Sequence, residues 1–385
     1  MKSNKQVNFA KRFVAPPVHH VSTILFDSFE QLTQAKQAPL DRHNMYYGRV
    51  GTPTTHMLED AICALDNSSG AVLFPSGVSA ISSAILAMVA CGDHVLVADT
   101  VYGPTREFCN RRLKGYGVEV TYYDPMLSAG LESLIQDNTK LIFLESPGTL
   151  SFEVQDVAGI CHIAKKHGVF TAIDNSWATP LFFNPFDSGI DIHIQAATKY
   201  YSGHSDVMVG IVTCRNKALL EKIRWCAFDF GLHLAPDDCY LLYRGIQTLQ
   251  VRLEQHQKSA LELAHWLSKK DEVERVLHPA LPSCPGHEFW QRDFKGSSGL
   301  FSIQLKNATP AAIAAMVNGF NIFRLGFSWG GYESLALPAE LSLLRSATKW
   351  PNTQWLLRLQ VGLEPFESLK AELDAGLARY LQTKG

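Results

Sequence analysis

Ile194-Gln-Ala-Ala-Thr-Lys199-Tyr-Tyr-Ser-Gly203-His-Ser-Asp206 decides how the chain is read. It follows Ile190-Asp-Ile192-His-Ile194, an alternating apolar segment that predicts a short buried strand. A lysine where such a strand stops, followed at once by Tyr, Ser, Gly and His, is an unusual end for a core element. Ammonium groups are strongly hydrated and rarely enter a core. A surface lysine lying over apolar neighbours is one explanation. The other is chemical: an amine in a partly dry site loses its proton more easily and can form a Schiff base with an aldehyde.

A second stretch upstream favours the chemical explanation. Val169-Phe-Thr-Ala-Ile-Asp174-Asn175 is an apolar run that ends in a carboxylate. The carboxyl ends of parallel strands are where open α/β sheets bind ligands. Asp174 alone could be a helix cap or half of a salt bridge. Asp174 and Lys199 facing one crevice suit pyridoxal 5'-phosphate (PLP), the lysine holding its aldehyde and the aspartate keeping its ring nitrogen protonated.

Outward from these two runs the pattern is βα. Strands are expected at 71–74, 94–98, 118–123, 141–144 and 207–213, with helices at 55–65, 80–90, 131–136 and 157–167. Repeated βα units predict a mostly parallel sheet covered on both faces by helices. Three punctuated segments fall where ligands would sit. Pro75-Ser76-Gly77-Val78-Ser79 separates a strand from a helix, the geometry that offers free N–H groups to an anion. Tyr102, in Asp99-Thr-Val-Tyr102-Gly103-Pro104, could lie flat on a heteroaromatic ring or simply fill the core. Tyr47-Gly48-Arg49 places a planar guanidinium in a loop, suited to a phosphate or merely exposed.

Beyond about residue 236 the pattern changes. One long amphipathic helix is expected from Pro236 to Trp266, then a smaller α+β unit with strands at 300–305, 322–327 and 355–360. Within it, Phe327-Ser328-Trp329-Gly330-Gly331-Tyr332-Glu333-Ser334 reads as a tight loop. Arg358 interrupts an apolar strand, where burial without a partner is costly. A substrate carboxylate or an internal acid such as Glu333 could supply that partner. The organisation expected is an N-terminal arm (1–45), an α/β domain (46–245) and a C-terminal α+β domain (246–385).

Composition narrows the function. The 385 residues are 46% hydrophobic with net charge −2, enough for a large core and no signal for nucleic acid or an anionic membrane. No apolar run is long enough to span a bilayer. Residues 1–8 show no signal-peptide core. Eight scattered cysteines without a CxxC, and fourteen histidines without an HExxH, point to reduced thiols in a cytoplasmic protein without a metal centre. His204-Ser-Asp206 could reach a metal but is better suited to a turn. No G-x-G-x-x-G follows an early strand, which disfavours a dinucleotide.

With these residues in view, the chain resembles the Cys/Met-metabolism (transsulfuration) family of PLP enzymes along nearly its whole length. Tyr47-Gly48-Arg49, Ala196-Ala197-Thr198 before Lys199, and Trp329 favour its β-cleaving members over the γ-acting ones. Phe327 departs from relatives that carry Tyr, which touches fine substrate contacts rather than the chemistry. The resemblance implies an aspartate-aminotransferase-like fold (fold type I) and a homotetramer whose dimers share active sites. It implies that Lys199 is the Schiff-base lysine and moves protons. Asp174 would pair with the ring nitrogen and Tyr102 stack on the ring. Gly77, Val78 and Thr198 would hold the phosphate from one subunit, Tyr47 and Arg49 from its neighbour. Arg358 would grip the substrate α-carboxylate, with Ser328, Trp329 and Tyr47 lining the pocket, and Tyr47 would join Lys199 and Tyr102 as a catalytic group. The implied reaction is a β-elimination from a cysteine thioether such as cystathionine. γ-Acting relatives, a broad cysteine-conjugate lyase and a non-catalytic binding protein are the alternatives.

Overall fold

The structure is a computed structural model that describes residues 13–43, 45–341, 345–349 and 355–383. The first twelve residues of the expected arm therefore lie outside the described residues. In chain order the elements are α1 (Phe29–Gln37), α2 (Pro53–Asp66), β1 (Gly70–Phe74), α3 (Gly77–Leu86), β2 (His94–Ala98), α4 (Gly103–Phe108), β3 (Glu119–Tyr123), β4 (Thr139–Glu145), α5 (Val157–Lys166), β5 (Phe170–Asp174), α6 (Thr179–Phe182), β6 (Ile192–Ala196), β7 (Gly210–Cys214) and α7 (Lys217–Asp229). Then follow α8 (Pro236–Ile246), α9 (Leu249–Leu267), β8 (Val273–Leu277), α10 (His287–Asp293), β9 (Leu300–Leu305), α11 (Pro310–Val317), β10 (Arg324–Leu325), β11 (Leu335–Glu340), β12 (Trp355–Gln360) and α12 (Phe366–Gln382).

The first sheet has seven strands in the order β1-β7-β6-β5-β4-β2-β3. All its pairings are parallel except those of β7, which runs antiparallel to both β1 and β6. Strands β1, β2, β5 and β6 are buried along nearly their whole length because helices cover both faces of the sheet. The core beneath joins Phe74, Ile81, Val97, Phe143, Ile173 and Ile194. The second sheet has five strands, β10-β11-β12-β9-β8, antiparallel except at β10–β11. Its own core includes Leu263, Phe301, Ile303, Leu357 and Leu373.

Four expectations are corrected. The helix over 131–136 is a 3-10 turn, Ser128–Leu134. The strand at 322–327 shrinks to the two residues of β10. Strands β8 and β11 were not foreseen. The single helix from Pro236 to Trp266 is two, α8 and α9, with Gln247 and Thr248 between them. Arg252 explains that break. Its guanidinium donates to the Gly245 carbonyl at 2.7 Å, closing the C-terminal turn of α8, and to Tyr200 O at 2.7 Å.

No helix among the described residues is long and apolar enough to cross a membrane. All eight cysteines are free thiols.

Candidate active site

Lys199 lies three residues beyond β6, not at its last residue, in a turn closed by Lys199 N–H to Ala196 O (3.0 Å) and Gly203 N–H to Lys199 O (2.9 Å). Arg252, reaching in from α9 to the Tyr200 and Tyr201 carbonyls, fixes the same turn from below. Nothing local in the sequence marks Arg252 for this, since it sits in an ordinary amphipathic pattern.

The Lys199 amine is half-buried. Its Nζ donates to Ser328 Oγ at 2.6 Å and lies 5.2 Å from the centre of the Trp329 ring. Burial, then the nearby Arg358 charge, bring the ammonium down to about 8, with Asp174 opposing. An amine so placed is partly deprotonated at neutral pH, which a nucleophile or base needs.

Ser328 stands at φ +73°, in the left-handed region. This turns its hydroxyl to Lys199 while its carbonyl accepts from Arg358 at 2.9 Å. Gly330, at φ +87°, lets the loop rest on the Lys199 backbone: a Cβ there would lie 2.9 Å from Lys199 C and Tyr200 N. Arg358 has no carboxylate within ion-pair distance among the described residues. Glu333, the internal acid weighed for it, bonds Ser205 instead. Burial lowers even this guanidinium to about 10. A half-buried, acid-free guanidinium close to a low-pKa amine is a receptor for a carboxylate.

Asp174 is the last residue of β5 and only 8% exposed. Its Oδ1 accepts from Ser176 N–H (2.9 Å) and Oγ (2.6 Å), which leaves Oδ2 for another donor. Glu145, the last residue of β4, is its register neighbour. Glu145 Oε2 accepts from Tyr102 N–H at 2.7 Å, and Thr149 Oγ1 donates to the other oxygen. Burial and the Asp174 charge push Glu145 up to about 8, and burial raises Asp174 as well. Glu145 closed a strand in the sequence without attracting a role. A buried acid at a strand's carboxyl end was the available signal. Tyr102 caps α4 with its ring 41% exposed, and its hydroxyl feels Glu145, Asp174 and Arg358.

The anion-binding end is built by α3. Ser76 caps it in a box with Ser79, consuming the Ser79 N–H and leaving those of Gly77 and Val78. A side chain at Gly77 would put its Cβ 2.8 Å from Ala196, so only glycine lets this helix end approach the lysine turn. Thr198, in that turn, exchanges bonds with Val209 (Val209 N–H to Thr198 Oγ1, 2.9 Å).

Tyr47 and Arg49 stand apart from these groups within one chain. The Tyr47 hydroxyl meets Ser22 at 3.3 Å, and Arg49 donates to Phe228 O at 2.8 Å and covers the Phe228 ring. Arg49 lines a cleft of about 700 Å³ between α2 and α7 with Arg42, Glu59 and Arg224; Lys199, Asp174, Tyr102 and Arg358 are not among its walls. His204 turns to the Ser202 carbonyl, and no cluster of metal-ligating side chains occurs among the described residues.

The sequence profile of the Cys/Met metabolism PLP-dependent enzymes matches residues 1–378. The chain belongs to that family. Among its relatives, cystathionine beta-lyase of Haemophilus influenzae is 41% identical over 98% of this chain and 96% of its own length. L-alanine/L-glutamate racemase of Wolbachia pipientis is 40% identical over 98% and 96%. The crystal structure of cystathionine gamma synthase from Xanthomonas oryzae pv. oryzae, in complex with aminoacrylate and cysteine, superposes with a TM-score of 0.87 at 32% identity, covering 96% of this chain and 94% of that one. The fold is that of the family's PLP enzymes. The residues present fit the cofactor: a low-pKa amine, a buried carboxylate with an open oxygen, and a helix end cleared by Gly77.

Proposed function

We propose that the chain is a carbon–sulfur β-lyase that takes a cysteine thioether, L-cystathionine foremost, to homocysteine, pyruvate and ammonia. The observation that carries this is the Lys199–Ser328–Arg358 chain of contacts, 2.6 and 2.9 Å long, which sets a base beside a carboxylate receptor. Bound PLP supplies a sink for the electron pair freed at the substrate Cα. Arg358 holds the α-carboxylate in a two-point contact and thereby aims the Cα–H bond. Lys199 Nζ would hold the cofactor when no substrate is present, and is placed to take the Cα proton when one is. Asp174 Oδ2 would keep a proton on the cofactor's ring nitrogen, and Tyr102 would cover the ring. Gly77, Val78 and Thr198 donate to the phosphate. Ser328 and Trp329 wall the substrate side and exclude water. The thiolate then leaves from Cβ and takes up a proton as homocysteine, and the released aminoacrylate is hydrolysed by water to pyruvate and ammonia.

Tyr47 and Arg49 are proposed to complete the site of a neighbouring subunit in a homotetramer. Two facts support this. Gly48 N–H ties their loop to the arm at Ser22 O (2.9 Å), and the arm leaves Leu25 90% and Phe29 77% exposed, apolar surface that a second copy would cover.

A racemase is the second reading, favoured by the 40% identity to the Wolbachia enzyme. It needs the same Cα proton removal, with return from the opposite face. The test is incubation of purified protein with L-cystathionine and identification of the keto acid. Pyruvate is expected. 2-Oxobutyrate would mean γ-cleavage, and D-alanine formed from L-alanine without a keto acid would mean racemisation.

A further inference from the structure

Asp99 follows directly after β2 and is 1% exposed, yet it is not part of the chemistry described above. Its carboxylate is surrounded by donors from a distant segment, residues 345–349, between β11 and β12. Oδ2 accepts from the backbone N–H of Ala347 (3.1 Å) and Thr348 (2.9 Å) and from Thr348 Oγ1 (2.9 Å). Oδ1 accepts from Ser346 N–H (3.0 Å) and Oγ (3.0 Å). Three successive backbone N–H groups around one carboxylate form an anion nest whose anion is built into the protein. Arg106 completes it, donating to Asp99 Oδ1 at 2.6 Å, to the Asp99 carbonyl at 2.8 Å and to Ser346 Oγ at 3.0 Å.

The other side of the contact bears on the site. Arg106 sits one helical turn after Tyr102, its N–H bonded to Tyr102 O at 3.1 Å, and its guanidinium lies 3.9 Å from the centre of the Tyr122 ring. The same segment is anchored a second time: Arg345 donates to Ser151 Oγ and to Glu153 Oε2, the latter at 2.7 Å. Residues 151–153 belong to the loop after β4, and Gly148 N–H bonds Glu153 O at 3.0 Å. So residues 345–349 span the loop that carries Tyr102 and the loop that follows Glu145, and a little further along the chain β12 carries Arg358.

We propose that Asp99 is a positioning residue. With Arg106 it latches the 345–349 segment across the carboxyl edge of the first sheet, and so sets the Tyr102 loop and the Arg358 strand in register with one another. Burial alone would push its carboxyl up, but the donors from Ser346, Arg106 and Thr348 outweigh it and hold it at about 2. The latch is therefore charged throughout the working range.

The proposal rests on the roles given above to Tyr102 and Arg358, and its test separates the two. Asp99→Asn keeps the shape, removes the charge and turns an N–H₂ toward donors. In the holoenzyme the amides of 346–348 are expected to exchange at least tenfold faster. KM for the thioether should rise tenfold or more, while kcat changes less than threefold. Thr348→Val removes one bond only, and a threefold rise in KM is expected if Asp99→Asn does not fold. Exchange at 346–348 within twofold of the parent would overturn the latch. Faster exchange with unchanged KM would overturn the positioning role. A parent protein that cleaves no thioether, yet shows the exchange difference, would count against the lyase reading and leave the latch standing.

Discussion

Glu145 and Asp174 end adjacent parallel strands as register neighbours, two buried carboxyl groups side by side at the carboxyl edge of the sheet. Two buried carboxylates in contact cannot both ionise cheaply. Burial and the Asp174 charge push Glu145 up to about 8 against the opposing bonds from Tyr102 N–H and Thr149, so Glu145 is the one to keep its proton. That frees Asp174 to be the anion.

Glu145→Gln should then gain on the parent as pH rises from the unfolded carboxyl value toward the folded one. A carboxyl whose folded pKa is raised adds stability below its unfolded value near 4.3, and loses it as pH rises through about 8. The glutamine variant has no such loss, so its urea midpoint should exceed the parent's by more at pH 8 than at pH 5. Glu145→Ala leaves the Tyr102 N–H unpaired and should cost about 1–3 kcal/mol at both.

Arg358→Ala tests the carboxylate receptor. Hydrogen bonds to a charged group contribute about 1.5–3 kcal/mol, so KM should rise roughly 10- to 100-fold. Arg358→Lys should not restore it, because an ammonium lacks the planar fork. Steady-state kinetics with an amino-acid thioether decide it; a KM within twofold of the parent would exclude the role.

Gly330→Ala should injure the site without touching a reactive group. Alanine must adopt φ near +87° and place its Cβ 2.9 Å from the Lys199 carbonyl carbon. Strain of this kind costs about 1–3 kcal/mol. Thermal unfolding should fall by several degrees, and cofactor content at fixed free PLP should drop.

How far the sequence reveals this site depends on whether its signal is local. Lys199 and Asp174 stand out because each interrupts an apolar run with a group the core would reject. Ser76-Gly77 stands out because a cap and a glycine must sit next to each other there. Arg252 and Asp99 carry no such mark. Each is an ordinary residue in a common pattern, and its partners come from far along the chain, at Tyr200 and Tyr201 for one and at 346–348 for the other. The break between α8 and α9 was invisible for the same reason. Its apolar pattern continues, and the interruption belongs to Arg252 and to Gly245, whose missing side chain admits Tyr201 O and Ser202 O; a Cβ there would lie 2.5 Å from both. β8 and β11 exist through their pairings with β9 and β12 rather than through their own pattern.

Acid stability should track two buried histidines, one packed against Tyr200 and one against Phe301. Burial lowers His256 to about 4 and His278 to about 3. For a depressed folded pKa, the contribution is complete above the unfolded value near 6.5 and is lost as pH falls toward the folded one. Each should cost about 2 kcal/mol between pH 7 and pH 5, and His256→Gln should flatten that slope in urea titrations. A parent whose stability is constant over this window would contradict it.

The most direct measurement is borohydride reduction of the purified, PLP-loaded protein, followed by proteolysis and mass spectrometry of its lysine-bearing peptides. The expected result is a pyridoxyl adduct on Lys199 and on no other lysine, with the visible cofactor band abolished by Lys199→Ala. A fully loaded protein that yields no adduct at Lys199, or that carries it on another lysine, would contradict the account.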